Sequence, residues 1–506
     1  MSKDLQHSNE SLPTKPSQVR ISKEKKQPID WKRIFFICLG LGLFLAVYYS
    51  PDWPGVDDPA GKHFALTKEG KAAIGLFLLT ATWWVTEVIP IGITSIMVGV
   101  VQVLFLIRLP EVAFTDFMTP SVWFIFASIV IGLAFSKTGL TKRMAYKMLA
   151  LVGEKTSMIY LGSFVMVAGL TLIMAHTAVA AAMFPLLMTI YSLYDPDNKP
   201  TKFGKGLFIG MAFVAGAGSI ITLLGAARGA VALGFFQEMT GVNVGFFELS
   251  YYMFPIGVVM VFICWAFFMV FFKPEKKSIP GLRNRVEFLS RKLGPMSMNE
   301  TMTLVIVFGA IGILSLRSFF PMLHFLDKSG VLLVTTIGFF IFKILTVKDL
   351  EDVPWNIILL FGGAMSIGYC LWQTGAANWM AINWLVLFEE AHWFVFVMGI
   401  SFLVLIMTNL IMNVAAISII LPVALVVAGY LNVAPDVILY CSLVTAGMPF
   451  LLLVGAAPNA IAYESKQFSS GEFFTAGIPM SLVLLVVLAV FVWLIWPAMG
   501  MPMLLK

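Results

Sequence analysis

Ala175-His176-Thr177-Ala178 and Met412-Asn413-Val414-Ala415 are short polar breaks in two long apolar regions of the sequence. His176 lies nine residues before Pro185, and Asn413 lies nine residues before Pro422. The apolar regions around them, residues 158–192 and 391–430, are too long for one crossing of a hydrocarbon core about 30 Å thick. A re-entrant helical hairpin, which enters and leaves on the same side, explains both the length and the break.

The composition places the rest of the chain in a membrane as well. Of 506 residues, 59% are apolar and 12% are charged, against about 25% charged in soluble domains, which excludes a soluble enzyme. The four cysteines lie in apolar runs without a CxxC pair and are interpreted as small core residues. Apolar runs predict 11 further spans, at residues 34–50, 72–88, 91–107, 121–137, 206–236, 252–272, 301–318, 329–346, 356–372, 434–462 and 476–496. We therefore expect an all-α polytopic membrane protein with about 11 transmembrane helices and two re-entrant hairpins.

The basic residues orient this topology. With the N-terminus inside, 26 of the 34 Lys and Arg residues fall in cytoplasmic segments and seven fall outside, as the positive-inside rule requires. The polar residues 1–30 are expected to form a disordered cytoplasmic tail, and residues 273–300 a cytoplasmic linker. Lys62 and Lys506 are two of the seven basic residues predicted to lie outside the cell. Arg228 is the one basic residue left over, inside a predicted span.

The linker joins two halves, residues 31–272 and 301–498, that resemble each other. Phe126-Ala127-Ser128 through Lys137-Thr138-Gly139 corresponds to Phe361-Gly362-Gly363 through Gln373-Thr374-Gly375. In each half a short amphipathic segment and then the broken region follow. The offset is 236 residues from Gly139 to Gly375 and 237 from Pro185 to Pro422. Because equivalent elements start on opposite sides, the halves form an inverted repeat.

The breaks are the candidate binding elements. The half-helix after each hairpin break presents free N–H groups and a positive dipole end, which suit an anion. Two further breaks, Leu224-Gly225-Ala226-Ala227-Arg228-Gly229 and Val454-Gly455-Ala456-Ala457-Pro458-Asn459, interrupt spans. Glycine permits unwinding and proline removes an N–H, so carbonyl groups become free to bind cations. Two tips and two unwound helices predict the midplane site of a secondary transporter. The predicted substrate site comprises Ala175, His176, Thr177, Gly225, Arg228, Met412, Asn413, Val414, Pro458 and Asn459.

Over about residues 31–498 the chain resembles the divalent anion:sodium symporter (DASS) family, which carries sulfate or di- and tricarboxylates. The resemblance lies in Trp83-Trp84-Val85-Thr86-Glu87-Val88-Ile89-Pro90, Lys137-Thr138-Gly139-Leu140, Phe361-Gly362-Gly363 and Pro458-Asn459-Ala460-Ile461-Ala462-Tyr463. It implies a scaffold domain that dimerises and a transport domain that moves like an elevator. The expected partners are a small anion, membrane lipid and a second copy of the chain, without nucleic acid, and the expected location is a bacterial cytoplasmic membrane.

The chain departs from the family at the site. The family carries Ser-Asn-Thr at each tip, where this chain has Ala175-His176-Thr177 and Met412-Asn413-Val414. The family's Thr-Pro-Pro-Asn is replaced by Ala226-Ala227-Arg228-Gly229 in the first unwound helix, whereas the second keeps Pro458-Asn459. Sodium needs several hard oxygen ligands, so the resemblance leaves at most a residual sodium site at Asn413, Gly455 and Ala456. No other cofactor is expected.

Two roles are possible for each of Arg228 and His176. An arginine at membrane depth costs about 2.5 kcal/mol or more to insert, and its guanidinium can bind a carboxylate or sulfate bidentately. A fixed cation in place of a mobile one favours obligate exchange; alternatively, Arg228 pairs with a carboxylate such as Glu238. His176 either couples transport to protons or is a neutral, hydrogen-bonded core residue.

These features predict a secondary active transporter of small organic or inorganic anions with an elevator mechanism. Exchange or proton coupling is favoured, and sodium symport is the alternative. Met412 and Val414 make the site less polar, so we expect a substrate smaller or less polar than citrate, and monocarboxylates with an apolar group fit as well as dicarboxylates. A membrane enzyme is disfavoured, because the five histidines form no HExxH motif. An anion channel remains a competitor, since a midplane arginine suits a selectivity filter.

Overall fold

Helices form nearly all the secondary structure of the computed structural model, which describes residues 30–57, 63–385 and 392–505. The first half contains α1 Trp31–Tyr48, α2 Lys68–Thr86, α3 Ile91–Leu104, α4 Pro110–Thr115, α5 Pro120–Thr138, α6 Leu140–Val152, α7 Thr156–Thr171, α8 His176–Tyr194, α9 Lys202–Ser219, α10 Ala227–Thr240, α11 Phe246–Phe271 and α12 Leu282–Leu293. The second half contains α13 Met298–Leu316, α14 Lys328–Ile341, α15 Val347–Glu351, α16 Trp355–Gln373, α17 Ala376–Leu385, α18 Trp393–Leu410, α19 Asn413–Tyr430, α20 Pro435–Gly447, α21 Ala457–Tyr463, α22 Ser470–Val490 and α23 Trp496–Ala498. Short 3-10 turns occupy Asp116–Met118, Pro321–Leu323 and Leu453–Gly455, a π-helical turn occupies Phe491–Ile495, and the strands β1 Val56–Asp57 and β2 His63–Phe64 pair antiparallel.

The predicted fold class, an all-α polytopic membrane protein, is confirmed. Each of the 11 predicted spans falls on one helix or on two helices separated by a break. Within the described ranges, nine helical regions are long and apolar enough to cross a membrane. The predicted tail lies outside the described residues except for Asp30, which caps α1. Lys62, Lys506 and residue 391 at the start of the second hairpin region also lie outside them.

The helices pack as two groups. One group joins α1, α2, α3 and α16, and α5, α13 and α14 pack beside it. The other joins α7, α8, α9, α11 and α21 with α10, α18, α19, α20 and α22. The groups meet where α5 and α16 contact α8, α10 and α19. This division matches the scaffold and transport domains that the family resemblance implies.

The two halves break their helices with the same backbone geometry. The residues before the tip helices α8 and α19 are Ala175, with φ −58° and ψ 135°, and Met412, with φ −58° and ψ 143°. The residues before α10 and α21 are Ala226, at −162° and 145°, and Ala456, at −154° and 148°. This correspondence agrees with the repeat register read from the sequence.

The segment 273–300, predicted as a linker, contains the helix α12. Leu282, Val286, Leu289 and Leu293 recur at helical spacing, and the first two are buried. α12 packs against α6. Arg143 of α6 donates from Nε to Glu300 Oε1 at 2.7 Å and from Nη1 to Gly294 O at 2.8 Å. The segment is therefore ordered and connects α6 of the first half to the start of α13.

Glu275 joins the ends of three helices. Its carboxylate accepts hydrogen bonds from Tyr194 Oη at 2.8 Å, Lys202 N at 2.6 Å and Phe203 N at 3.2 Å. Two of these donors are free N–H groups of the first turn of α9, which a helix leaves without internal partners. Burial raises the pKa of Glu275, but the hydrogen bonds outweigh it and bring the pKa below the ordinary 4.5.

We expect Glu275→Gln to lower the free energy of unfolding by about 0.5–2 kcal/mol at neutral pH, the usual cost of a lost helix cap. Because the folded pKa is depressed, the ionised group stabilises the protein above pH 4.5, and this contribution disappears as the pH falls through the lowered pKa. Thermal unfolding of the wild type and the variant between pH 7 and pH 4 measures the difference.

Glu287→Gln is the matched control. Among the described residues, Glu287 pairs only with Arg283, at 3.3 Å on one exposed face of α12, and such pairs contribute about 0.3–0.5 kcal/mol. Equal losses in the two variants would contradict a capping role for Glu275.

Candidate transport site

The two hairpin tips open onto one cavity of about 370 Å³. Seven of the residues proposed from the sequence line it together: Ala175, His176, Thr177, Met412, Asn413, Val414 and Ala456. The opposite wall is one face of α5 and the start of α16. The cavity thus lies at the contact between the two helix groups, where a substrate would touch both.

The first tip is held against the first unwound segment. The backbone N–H of His176 donates to Gly225 O at 2.9 Å, and the ring Nδ1 lies 3.2 Å from the same oxygen. A carbonyl oxygen only accepts, so Nδ1 carries the hydrogen. His176 is 9% exposed. This geometry fits the interpretation of a hydrogen-bonded structural histidine better than that of a proton carrier.

Thr177 and Asn413 face the cavity, and their side chains are not held by hydrogen bonds to the described residues. Both line it, and neither side chain has a hydrogen-bond partner among the residues that the structure describes. Asn413 is 6% exposed. A buried amide normally finds a partner, so these side chains are available to a bound molecule.

Arg228 lies behind the cavity wall. It is 1% exposed, and its neighbour Ala227 lines the cavity. Its Nη2 donates to Ser219 Oγ at 2.8 Å and lies close to Gly447. Ser219 and Gly447 are the last residues of α9 and α20, so the guanidinium lies at two helix C-termini, which carry partial negative charge. Direct contact of Arg228 with substrate stays a prediction, because in this conformation the side chain points to these helix ends and does not line the cavity.

The alternative pairing of Arg228 with Glu238 is also absent. Within the described part of the chain, Arg228 forms no ion pair with any carboxylate, and its Nη1 has no hydrogen-bond partner. The charge is therefore compensated by helix dipoles and one hydroxyl group.

Four other proposed residues support the site from outside the cavity. Gly225 acts through its carbonyl, and an added Cβ there would clash with Ser219 and Thr171. Asn459 is 2% exposed and donates to Pro449 O at 2.9 Å and Leu452 O at 3.1 Å, so it braces the second unwound segment. Pro458 and Gly455 are also absent from the lining. Direct contact of Gly225, Pro458 and Asn459 with substrate, and a sodium site shared by Gly455 and Asn413, stay predictions. In this conformation the four residues lie in or next to the unwound segments.

The carbonyls of the first unwound segment are already engaged. Gly225 O accepts from His176, and Leu224 O accepts from Ser128 Oγ at 3.1 Å. Such oxygens would be needed for a sodium ion at this position. Asn413 and Ala456 remain together at the second position. No group of three His, Cys, Asp or Glu residues suited to a metal occurs in the described ranges.

Sequence reasoning missed three contributors. Asn409 accepts hydrogen bonds from Leu451 N at 2.7 Å and Leu452 N at 3.2 Å, and its position four residues before Asn413 was a detectable signal. Ser128 and Asp352 come from the opposite wall of the cavity. Ser128 belongs to the repeated motif and Asp352 has no local signal, and only the packing of the two groups brings both residues to the tips.

The family model of the sodium:sulfate symporter transmembrane region matches residues 61–502. The chain belongs to this family. The family transports anions by secondary transport, so the predictions of an anion transporter and of a non-enzymatic function are confirmed. The protein is an integral, multi-pass membrane protein of this family.

Two curated relatives extend along most of the chain. The sodium-dependent dicarboxylate transporter SdcS of Staphylococcus saprophyticus is 25% identical over 454 residues, which cover 85% of this chain and 87% of the relative. SdcS of Staphylococcus aureus strain RF122 is 24% identical over 499 residues, covering 94% and 93%. At this level of identity within the family, individual site residues are free to differ.

Two solved structures share the fold. The YdaH transporter of Alcanivorax borkumensis superposes with a TM-score of 0.52 at 11% identity, covering 93% of this chain and 98% of the other. MtrF of Neisseria gonorrhoeae, from a class of antimetabolite efflux pumps, superposes with a TM-score of 0.57 at 12% identity, covering 91% and 94%. These likenesses support the fold class.

Proposed function

We propose that this family member is an exchanger of small carboxylate anions in a bacterial cytoplasmic membrane, with Arg228 as a fixed positive charge in place of a coupling sodium ion. The curated relatives are named dicarboxylate transporters, which supports a carboxylate substrate. The observation that carries the exchange mechanism is the buried guanidinium of Arg228, which has no carboxylate partner within the described residues.

A covalently attached cation changes the coupling. A sodium ion that binds with the substrate leaves with it, so the empty site can return uncharged. Arg228 cannot leave, and its charge stays buried beside the cavity in the empty protein. Helix dipoles offset this charge only in part, and moving a net positive charge through a low-dielectric environment is costly. The transport group therefore returns readily only with another anion bound, which is exchange.

The cavity indicates which side is open. It extends along α5 to Ser136 and to Asp352 before α16, the end that carries Lys137, Lys343 and Lys348. The positive-inside rule assigns this end to the cytoplasm, together with the N-terminus. We therefore interpret the conformation as inward-facing. The group containing α5 and α16 is the proposed scaffold and dimer surface, and the group containing both tips is the proposed moving domain.

We expect transport to require an anion on both sides of the membrane, and we expect its rate to be independent of the sodium concentration. In vesicles containing the purified protein, uptake of labelled succinate or butyrate should be fast when the same anion is loaded inside and slow when the lumen is empty. Replacing sodium by potassium should change the uptake rate by no more than about twofold, since no coupling free energy links sodium binding to anion binding.

The same vesicles separate the alternatives. A steep sodium requirement with uptake into empty vesicles would support symport and contradict the role given to Arg228. Anion current that rises with voltage and does not saturate would indicate a channel.

A further inference from the structure

Among the described residues that line the cavity, few polar side chains are free to bind a substrate. Thr177 comes from the first tip and Asn413 from the second, and both face the cavity without a hydrogen-bond partner among the described residues. A hydroxyl and an amide N–H can both donate to one carboxylate. The remaining polar tip side chain, His176, is tied to Gly225 O through Nδ1. The tip side chains therefore offer two donors for one acidic group, beside the backbone N–H groups that begin α8 and α19.

Beyond the tips the walls are apolar. The lining continues through Ile129 and Leu133 of α5, Ala178 and Ala181 of α8, and Ile357 and Phe361 of α16. From Ser128 to Ser136 this face of α5 is about 12 Å long at the helical rise per residue. Between Ser128, whose hydroxyl already donates to Leu224 O, and the exposed Ser136, a second carboxylate would lose water without gaining a side-chain donor, which is costly. An alkyl chain would gain from the same walls.

The charges around the cavity agree with this arrangement. Neither lysine nor arginine occurs among the described residues that line it. The carboxylate of Asp352 lies at the mouth. A substrate with a negative charge at each end would place its second charge in the apolar passage or near Asp352, and neither position attracts it.

We infer that the preferred substrate is a monocarboxylate with an apolar chain, whose carboxylate binds between Thr177 and Asn413 and whose chain lies along α5 towards Ser136. This inference rests on the proposed function, because it names the substrate class of the same site. It differs from the substrates in the names of the curated relatives, which are dicarboxylates.

The test is a comparison of binding by chain length. Acetate, butyrate, hexanoate and succinate are added to the purified full-length protein in detergent, and affinity is measured from the concentration dependence of thermal stabilisation. Affinity should increase from acetate to hexanoate by up to about fourfold per added methylene, and succinate should bind more weakly than butyrate. The Asn413→Leu variant, measured in parallel, subtracts the effect of fatty acids on the detergent micelle.

The outcomes separate this inference from the proposed function. Tighter binding of succinate than of butyrate and hexanoate, together with succinate exchange in vesicles, would overturn the inference and leave the exchanger intact. Absence of binding and exchange for all four anions would overturn both.

A variant of the passage provides a second measurement. Leu133→Asn puts an amide into the apolar wall without touching the tips. It should flatten the chain-length dependence, with its largest effect on hexanoate. An unaltered chain-length dependence would show that the chain lies elsewhere and would overturn the inference.

Discussion

Replacing Arg228 by methionine is expected to weaken anion binding by about 10- to 100-fold, the size of a lost charge-assisted interaction of 1.5–3 kcal/mol. The guanidinium is a buried positive charge one residue from Ala227 in the cavity wall. It also offsets the negative ends of α9 and α20, which would otherwise oppose an anion at the tips. Methionine keeps much of the side-chain volume and removes the charge.

The same substitution should not destabilise the protein. Arg228 has no carboxylate partner within the described chain, so no buried charge is left behind. Ser219 Oγ still donates to Gly216 O at 2.7 Å. Because replacing a poorly compensated buried charge by an apolar group is often neutral or stabilising, the melting temperature should stay the same or increase. Binding is measured by anion-dependent thermal shift and exchange by vesicle counterflow.

Arg108→Met is the matched control, since Arg108 is a buried arginine with a carboxylate partner. Its Nη1 lies 2.6 Å from Asp116 Oδ2, and both side chains are almost fully buried. Losing one member of such a pair costs about 3–5 kcal/mol, so this variant should melt earlier and keep its anion affinity. If Arg228→Met instead lost stability and kept its affinity, Arg228 would be a structural residue and the exchange mechanism would lose its basis.

The sequence identified the breaks because they depend on local chemistry. A polar residue nine positions before a proline, inside an apolar region, marks His176 and Asn413 without any tertiary information. The helices α8 and α19 begin at these two residues. Arg228 was also identifiable, since it is the one basic residue that the topology does not place in a loop.

The direction of each side chain was not predictable in this way. Arg228 and Ala227 are adjacent in the sequence, yet only Ala227 lines the cavity. Which of them faces a substrate depends on the rotation of α10, which its packing against α5, α19 and α20 determines. The same holds for Asn459, whose amide turns towards Pro449 O and Leu452 O. Family motifs show that a polar residue belongs to the region and leave open whether it contacts the substrate or supports the backbone.

Asn413→Leu should reduce anion affinity by a similar factor, about 10- to 100-fold, with little change in thermal stability. The Asn413 side chain has no hydrogen bond to lose among the described residues, and it lines the cavity. Leucine has a similar volume but no donor. Asn413→Asp should have a larger effect, because it places a negative charge where the carboxylate binds.

Asn459→Leu supplies the contrast that makes this prediction informative. Asn459 donates two hydrogen bonds to the second unwound segment, so its loss leaves buried carbonyls unpaired at a cost of about 1–3 kcal/mol each. This variant should melt earlier, whereas Asn413→Leu should not. The two variants would then show that Asn413 binds the anion and that Asn459 stabilises the second unwound segment. If both variants lost stability and affinity together, the tips would be one cooperative structural unit, and Asn413 could not be assigned to the substrate.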